Sequence, residues 1–192
     1  MLKALYNKLL KWAEHKYSIY ILALISFIEA SFFPIPPDPI LLTMCLGSPK
    51  RSLWYAFICS VFSVLGAILG YYIGLYLWST VHGFFFVYIF SESSFNYVGE
   101  LYNQNSFLAV LTAAFTPIPF KVFTIAGGVF RISIYDLILA SAIGRSARFF
   151  IEGGLFYFFG PNIKVFIEKY FNLLTIIITI LIIAVVVFYK IL

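Results

Sequence analysis

Charge is scarce in this chain. Only 11% of its 192 residues are Asp, Glu, Lys or Arg, against 62% hydrophobic residues and a mean hydropathy of +0.99. A single water-soluble core of this size cannot absorb that much apolar surface, so the composition is that of an integral membrane protein. Histidine is nearly absent: His15 and His82 lie far in sequence from the arginine-bearing stretch near residue 145. A phosphohistidine enzyme would lack its partners. No His-Glu-x-x-His or Gly-x-Ser-x-Gly run is present for a zinc protease or serine hydrolase. No catalytic residue, metal or other cofactor is therefore expected. The two cysteines, Cys45 and Cys59, are 14 apart in apolar surroundings. They lack metal spacing and read as small packing residues. Basic residues outnumber acidic ones 13 to 8 but are dispersed, which fits anionic lipid and the positive-inside bias rather than nucleic acid.

What the chain does have is proline inside membrane-grade sequence. Pro34, Ile35 and Pro36 recur as Pro117, Ile118 and Pro119, followed two residues later by Asp38 and Lys121. Proline removes a backbone donor and breaks a helix, so neither copy should cross lipid as a plain helix. The apolar arms around Pro34, residues 17–33 and 40–48, are each short for a span of ~20 residues and together predict a re-entrant hairpin. A second hairpin is predicted at 107–130, entering from the opposite side. Residues 53–78 are long enough to cross, and Gly66, Gly70 and Gly74 place small residues on one helical face for close packing. The polar stretch 91–106 lacks Lys and Arg and predicts an external loop; 134–159 predicts a return span. The expected organisation is all-α and polytopic, with an amphipathic surface helix at 1–16, a membrane domain at 17–160 and a C-terminal transmembrane helix at 171–190. Within the domain, halves of about 17–78 and 105–160 form an inverted repeat: a shift of 83 lays Pro34 on Pro117, Pro36 on Pro119, Asp38 on Lys121 and Gly70 on Gly153. Interruptions at matching positions of two halves are the sequence pointer to a transporter's binding site.

The run from Glu29 through the prolines to Asp38, the glycine ladder, the run from Phe115 to Gly128 and the run from Gly144 to Phe149 resemble the DedA family of bacterial inner-membrane proteins. This family is also called the VTT-domain or SNARE-associated family, and the likeness is greatest to its YqaA-like branch. The resemblance covers roughly residues 20–160. It implies movement of lipids between leaflets as a flippase or scramblase, with undecaprenyl phosphate and phospholipids as cargo and proton dependence in some members. It also implies that Glu29, Asp38, Lys121, Arg145 and Arg148 form the functional set. One departure stands out: Thr116 precedes Pro117 and a single Lys121 follows it, where the family often has two arginines. Lysine lacks the two-point fork of arginine, so the substrate does not carry over as well as the fold.

Ionised side chains at bilayer depth cost ~2.5 to 3.5 kcal/mol each on insertion scales and usually face a partner or a wet cavity. Glu29, Asp38, Lys121, Arg145, Arg148 and Glu152 are six such residues, with formal charges that cancel. Arg145, Arg148 and Glu152 share one helical face. One expectation is that Lys121, Arg145 and Arg148 converge on a lipid phosphate, since guanidinium matches phosphate oxygens. Glu29 and Asp38 would then bind and release protons. The competing expectation is a noncatalytic scaffold whose charges are structural ion pairs, Arg148 with Glu152 among them. For Asp38 a third role is open, capping a helix that begins at Ile40.

Overall fold

The computed structural model describes residues 17–33, 35–88, 92–116, 118–160 and 162. The expected surface helix at 1–16, the C-terminal span at 171–190, and Pro34 and Pro117 lie outside the described residues. Helix α1 is Ser18–Ser31, α2 is Asp38–Gly47, and a 3-10 turn, Pro49–Arg51, leads into α3, Ser52–Tyr88. Then follow α4 (Glu92–Gln104), α5 (Ser106–Phe115), α6 (Phe120–Val129) and α7 over residues 134–160. No strand occurs among the described residues.

Prolines set the breaks. A residue before proline is pushed out of the helical region, and the chain between α1 and α2 holds Pro36 and Pro37. Pro39 falls in the first turn of α2, where its missing N–H costs nothing. Pro119 holds extended backbone just ahead of α6. Helix α6 stops at a tight turn in which the N–H groups of Arg131 and Ile132 donate to the carbonyls of Gly128 (3.2 Å) and Gly127 (3.0 Å). Arg131 takes the left-handed conformation there, φ 54°. Ser133 Oγ then accepts the Asp136 N–H (3.4 Å), and the Asp136 carboxylate accepts from the Ser106 hydroxyl (2.6 Å), tying the starts of α5 and α7 together.

Contacts at the glycines give the run of each helix. Phe27 and Ala30 of α1 meet Gly66, and Ala30 reaches Gly70, so α1 runs parallel to α3. Its tip lies about 21 to 27 Å along α3 at 1.5 Å per residue. Helix α2 returns toward Ser52. In the second half, Leu111 and Ala114 of α5 meet Gly144 of α7. Thr124 and Ile125 of α6 meet Gly70 and Gly74, and Gly153 of α7 meets Ser52 and Ala56 of α3. Helix α7 is therefore antiparallel to α3, and the two short-helix pairs enter the bundle from opposite ends with their tips at its middle. Burial repeats at the same offset of 83: Ala30 and Ala113, Ser31 and Ala114, Pro37 and Phe120, Leu41 and Thr124, Met44 and Gly127, and Cys45 and Gly128 are all buried.

Gly66, Gly70 and Gly74 form the seam where both pairs dock on α3. A methyl group at Gly66 would sit 2.1 Å from the Phe27 carbonyl oxygen and one at Gly74 would sit 1.9 Å from that of Ile125. Backbone approach this close requires glycine. The Ser31 hydroxyl lies 3.0 Å from the Gly66 carbonyl, and Thr124 Oγ1 donates to the Ala30 carbonyl (3.0 Å), linking α6 to the end of α1. One apolar cluster gathers Leu22, Leu41, Cys45, Cys59 and Phe149; another gathers Ala67, Val110, Ala113, Phe120 and Leu137. Both cysteines are buried there as free thiols.

Two expectations change. The stretch 91–106 is not a loop: residues 92–104 form α4, because Phe95 stacks on Trp78 and packs at a tilt against Phe130 (4.8 Å each) and the buried Tyr102 donates its hydroxyl to the Phe123 carbonyl (2.7 Å). One apolar side anchors an otherwise polar helix. Helix α3 also runs past the expected end at 78. Within it and the preceding turn, Pro49–Trp78 alone among the described residues is long and apolar enough to cross a bilayer, with mean hydropathy 2.0. Helices α1, α2, α5 and α6 are apolar but of 10 to 17 residues.

Candidate functional site

Where the tips of the two pairs meet, five charged side chains gather in two neighbouring groups, Arg145 with Glu29 and Arg148 with Asp38 and Glu152. Arg145, on the buried face of α7, is 3% exposed. Its Nη2 donates to Glu29 Oε2 (2.6 Å) and its Nε to the buried Ser63 Oγ (2.7 Å). The guanidinium lies between the rings of Phe120 and Phe149, 5.0 and 4.8 Å from their centroids. Planar guanidinium is suited to such stacking. Arg145 is thus enclosed, held by α1, α3, α6 and its own helix.

Arg148, one turn further, is more open, with a quarter of its side chain exposed. Its Nη2 donates to Asp38 Oδ1, its Nη1 to the Thr116 carbonyl (3.4 Å) and its Nε to Glu152 Oε1 (3.5 Å). Asp38 is the first residue of α2. The helix starts at Asp38 rather than Ile40, and its cap position falls on Pro37. The helix N-terminus still favours its anion. Glu152 Oε2 is buried without a hydrogen-bond partner.

Each expected acid–base residue except Lys121 is brought into this cluster. Among the described residues no carboxylate lies within ion-pair distance of Lys121, which sits half-buried beside Phe120 at the start of α6. The six-charge balance read from the sequence therefore becomes, by contact, three carboxylates on two guanidiniums. Pro36 and Pro119 flank the cluster in the chain. Sequence reading missed Ser63, Phe120, Phe149 and the Thr116 carbonyl. Spacing offered a signal for two: Phe149 falls four residues after Arg145 and Ser63 three before Gly66, each on a face already marked as packed. An apolar cavity of about 350 Å³ lies elsewhere, between α4, α5 and α6, lined by Tyr102, Phe123 and Phe130. No cluster residue lines it. No group of three metal-binding side chains occurs among the described residues.

The described residues form an all-helical bundle with one helix long and apolar enough to cross a bilayer, the character of a membrane-associated helical protein. The VTT-domain family model matches residues 35–158, and the chain belongs to this family, the DedA family. An uncharacterized protein of Haemophilus influenzae is 35% identical over 151 residues, covering 79% of this chain and 78% of its own. An uncharacterized homolog from Histophilus somni is 31% identical over 147 residues, covering 77% and 76%. No solved structure matches.

Proposed function

We propose that this chain is a multi-pass protein of the bacterial inner membrane that moves an anionic lipid, such as undecaprenyl phosphate or a phospholipid, between leaflets. The two short-helix pairs are its re-entrant hairpins, broken at Pro34, Pro36, Pro117 and Pro119, and halves 17–78 and 105–160 are its inverted repeats. The observation that carries the reading is the ionic cluster at the meeting of the hairpin tips, inside a bundle otherwise built of apolar and small residues. Such placement is costly and serves ion or substrate pathways in membranes.

Within this reading the three cations divide the work. Arg148 is open enough to offer its fork to a phosphate, and Lys121 supplies a second positive charge from the neighbouring hairpin. Arg145 holds Glu29, Ser63 and the hairpin tips in place. Glu29 and Asp38 are the acids whose partner exchange would link cargo to protons. The test is reconstitution in liposomes with a leaflet-resolved lipid assay, with and without a pH gradient. Arg148→Ala should abolish lipid movement with expression intact, and Arg148→Lys should slow it roughly tenfold or more, the loss of one charge-assisted contact. Unimpaired movement in both variants would end the proposal.

A noncatalytic scaffold is the second reading, favoured by the enclosure of Arg145 and its pairing to Glu29. Purified alone, a scaffold moves no lipid.

A further inference from the structure

Within the cluster the charges are unequal. Arg145 and Glu29 match one to one, but Arg148 stands between two carboxylates, Asp38 and Glu152. Both acids contact the one guanidinium of Arg148, and no donor reaches Glu152 Oε2. Two neighbouring carboxylates in a poorly solvated site cannot both remain ionised without cost; one proton shared between them removes the repulsion and supplies the missing donor. Which acid holds it follows from their partners. Asp38 has the closer contact with Arg148 and sits at the positive end of α2. Glu152 has one long contact, 3.5 Å, and an orphaned oxygen.

We propose that Glu152 is the proton-holding member of the cluster, protonated when Arg148 is paired with Asp38, and that its proton sets whether Arg148 can take an anion. This rests on the lipid-transport reading and deepens it by naming Glu152 beside Glu29 and Asp38. With Glu152 neutral, the group of five has no net charge and a phosphate can approach Arg148. With Glu152 ionised, the group carries one negative charge and repels it. A phosphate-bearing headgroup and a proton thus enter together and leave together. The groups facing Glu152 are Asp38 and Cys45 from α2, and Arg148 on its own helix; behind them stand Arg145 and Glu29.

The test uses the full chain in nanodiscs of a neutral lipid, read by infrared difference spectroscopy on a pH step. Wild type should show the carbonyl stretch of a neutral carboxylic acid that disappears as pH rises. Glu152→Gln, which keeps the shape and a donor, should lack that band, and Glu29→Gln should retain it. With short-chain phosphatidylglycerol as probe, wild-type affinity should fall about tenfold per pH unit above the titration, while that of Glu152→Gln should not change with pH. Inorganic phosphate as a second probe separates recognition of the free anion from recognition of a lipid. Absence of the band in wild type, or its persistence in Glu152→Gln, overturns the proposal; the wild-type measurement decides even if the variant does not fold. A band that titrates on Glu152 in protein that moves no lipid keeps the proton-holding role and removes the transport reading.

Discussion

Replacing Glu29 by Met should cost more stability than replacing Glu29 and Arg145 together. The pair spans the molecule, joining the end of α1 to the middle of α7 across 116 residues of sequence. Arg145 is 3% exposed and cannot turn to water when its partner is lost. Removing one member of a buried pair leaves an uncompensated charge, which costs about 3 to 5 kcal/mol. Arg145→Met should cost a similar amount: it strands Glu29, empties the bond to Ser63 and forfeits two ring contacts worth roughly 0.5 to 2 kcal/mol each. In the double variant two apolar side chains of comparable length meet between Phe120 and Phe149, and the expected net cost is only about 1 to 2 kcal/mol.

The coupling between the two sites is then about 4 kcal/mol or more, well outside the scatter of additive pairs, ~0.5 kcal/mol. Unfolding of the four proteins of the cycle by SDS in mixed micelles, followed by tryptophan fluorescence, measures it. Additive single penalties, or a Glu29→Met cost below ~1 kcal/mol, would refute the reasoning: the guanidinium would then be solvated or paired elsewhere.

Glycine positions divide sharply. Gly74→Ala forces a methyl against the Ile125 carbonyl and should destabilise by about 1 to 3 kcal/mol, whereas Gly154→Ala, with nothing within 4 Å, should stabilise by about 0.5 to 1 kcal/mol; the same SDS titration reads both. Arg131→Gly should add roughly 1 kcal/mol by relieving a left-handed residue at the end of α6. Tyr102, on the polar helix α4, has its phenol pushed above the ordinary range by burial. The unfolded chain therefore loses this proton first, and the contribution of Tyr102 to stability should decline as pH rises past about 10. Tyr102→Phe should abolish that alkaline decline and cost about 1 kcal/mol at neutral pH through the lost bond to Phe123.

Much of this arrangement was legible in the chain because proline and charge are expensive in apolar sequence. Pro36 and Pro119 mark helix breaks wherever they occur, and the shift of 83 that aligned them also aligns the buried faces of the two short-helix pairs. The glycine ladder announced a face, though not that α1 and α6 would both use it. Helix α4 was missed because its polar majority hid apolar residues at Phe95, Val98, Leu101 and Tyr102, a three-to-four step that a tighter reading of periodicity detects. The pairing within the cluster was not legible in kind. Arg148 with Glu152 follows from spacing on one helix, but Arg145 with Glu29 and Arg148 with Asp38 depend on α7 running antiparallel to α3. No local pattern specifies the relative direction of helices so far apart in sequence.

Among the described residues each long-range ion pair joins an acid of the first short-helix pair to a base of α7: Glu29 and Asp38 to Arg145 and Arg148. Any motion of one half against the other must therefore break or exchange these pairs. The two pairs are not equivalent barriers to such motion. Arg145 is clamped by two rings and Ser63, so the Glu29 contact behaves as a pivot; Arg148 has a second carboxylate on its own helix, Glu152, able to receive it when Asp38 moves away. A buried pair with a built-in substitute partner has a lower cost of separation than one without, because the charge is never left bare. The fold thus places, within one cluster, an enclosed ion pair, Arg145 with Glu29, beside a more open one, Arg148 with Asp38, that has a second carboxylate in reach.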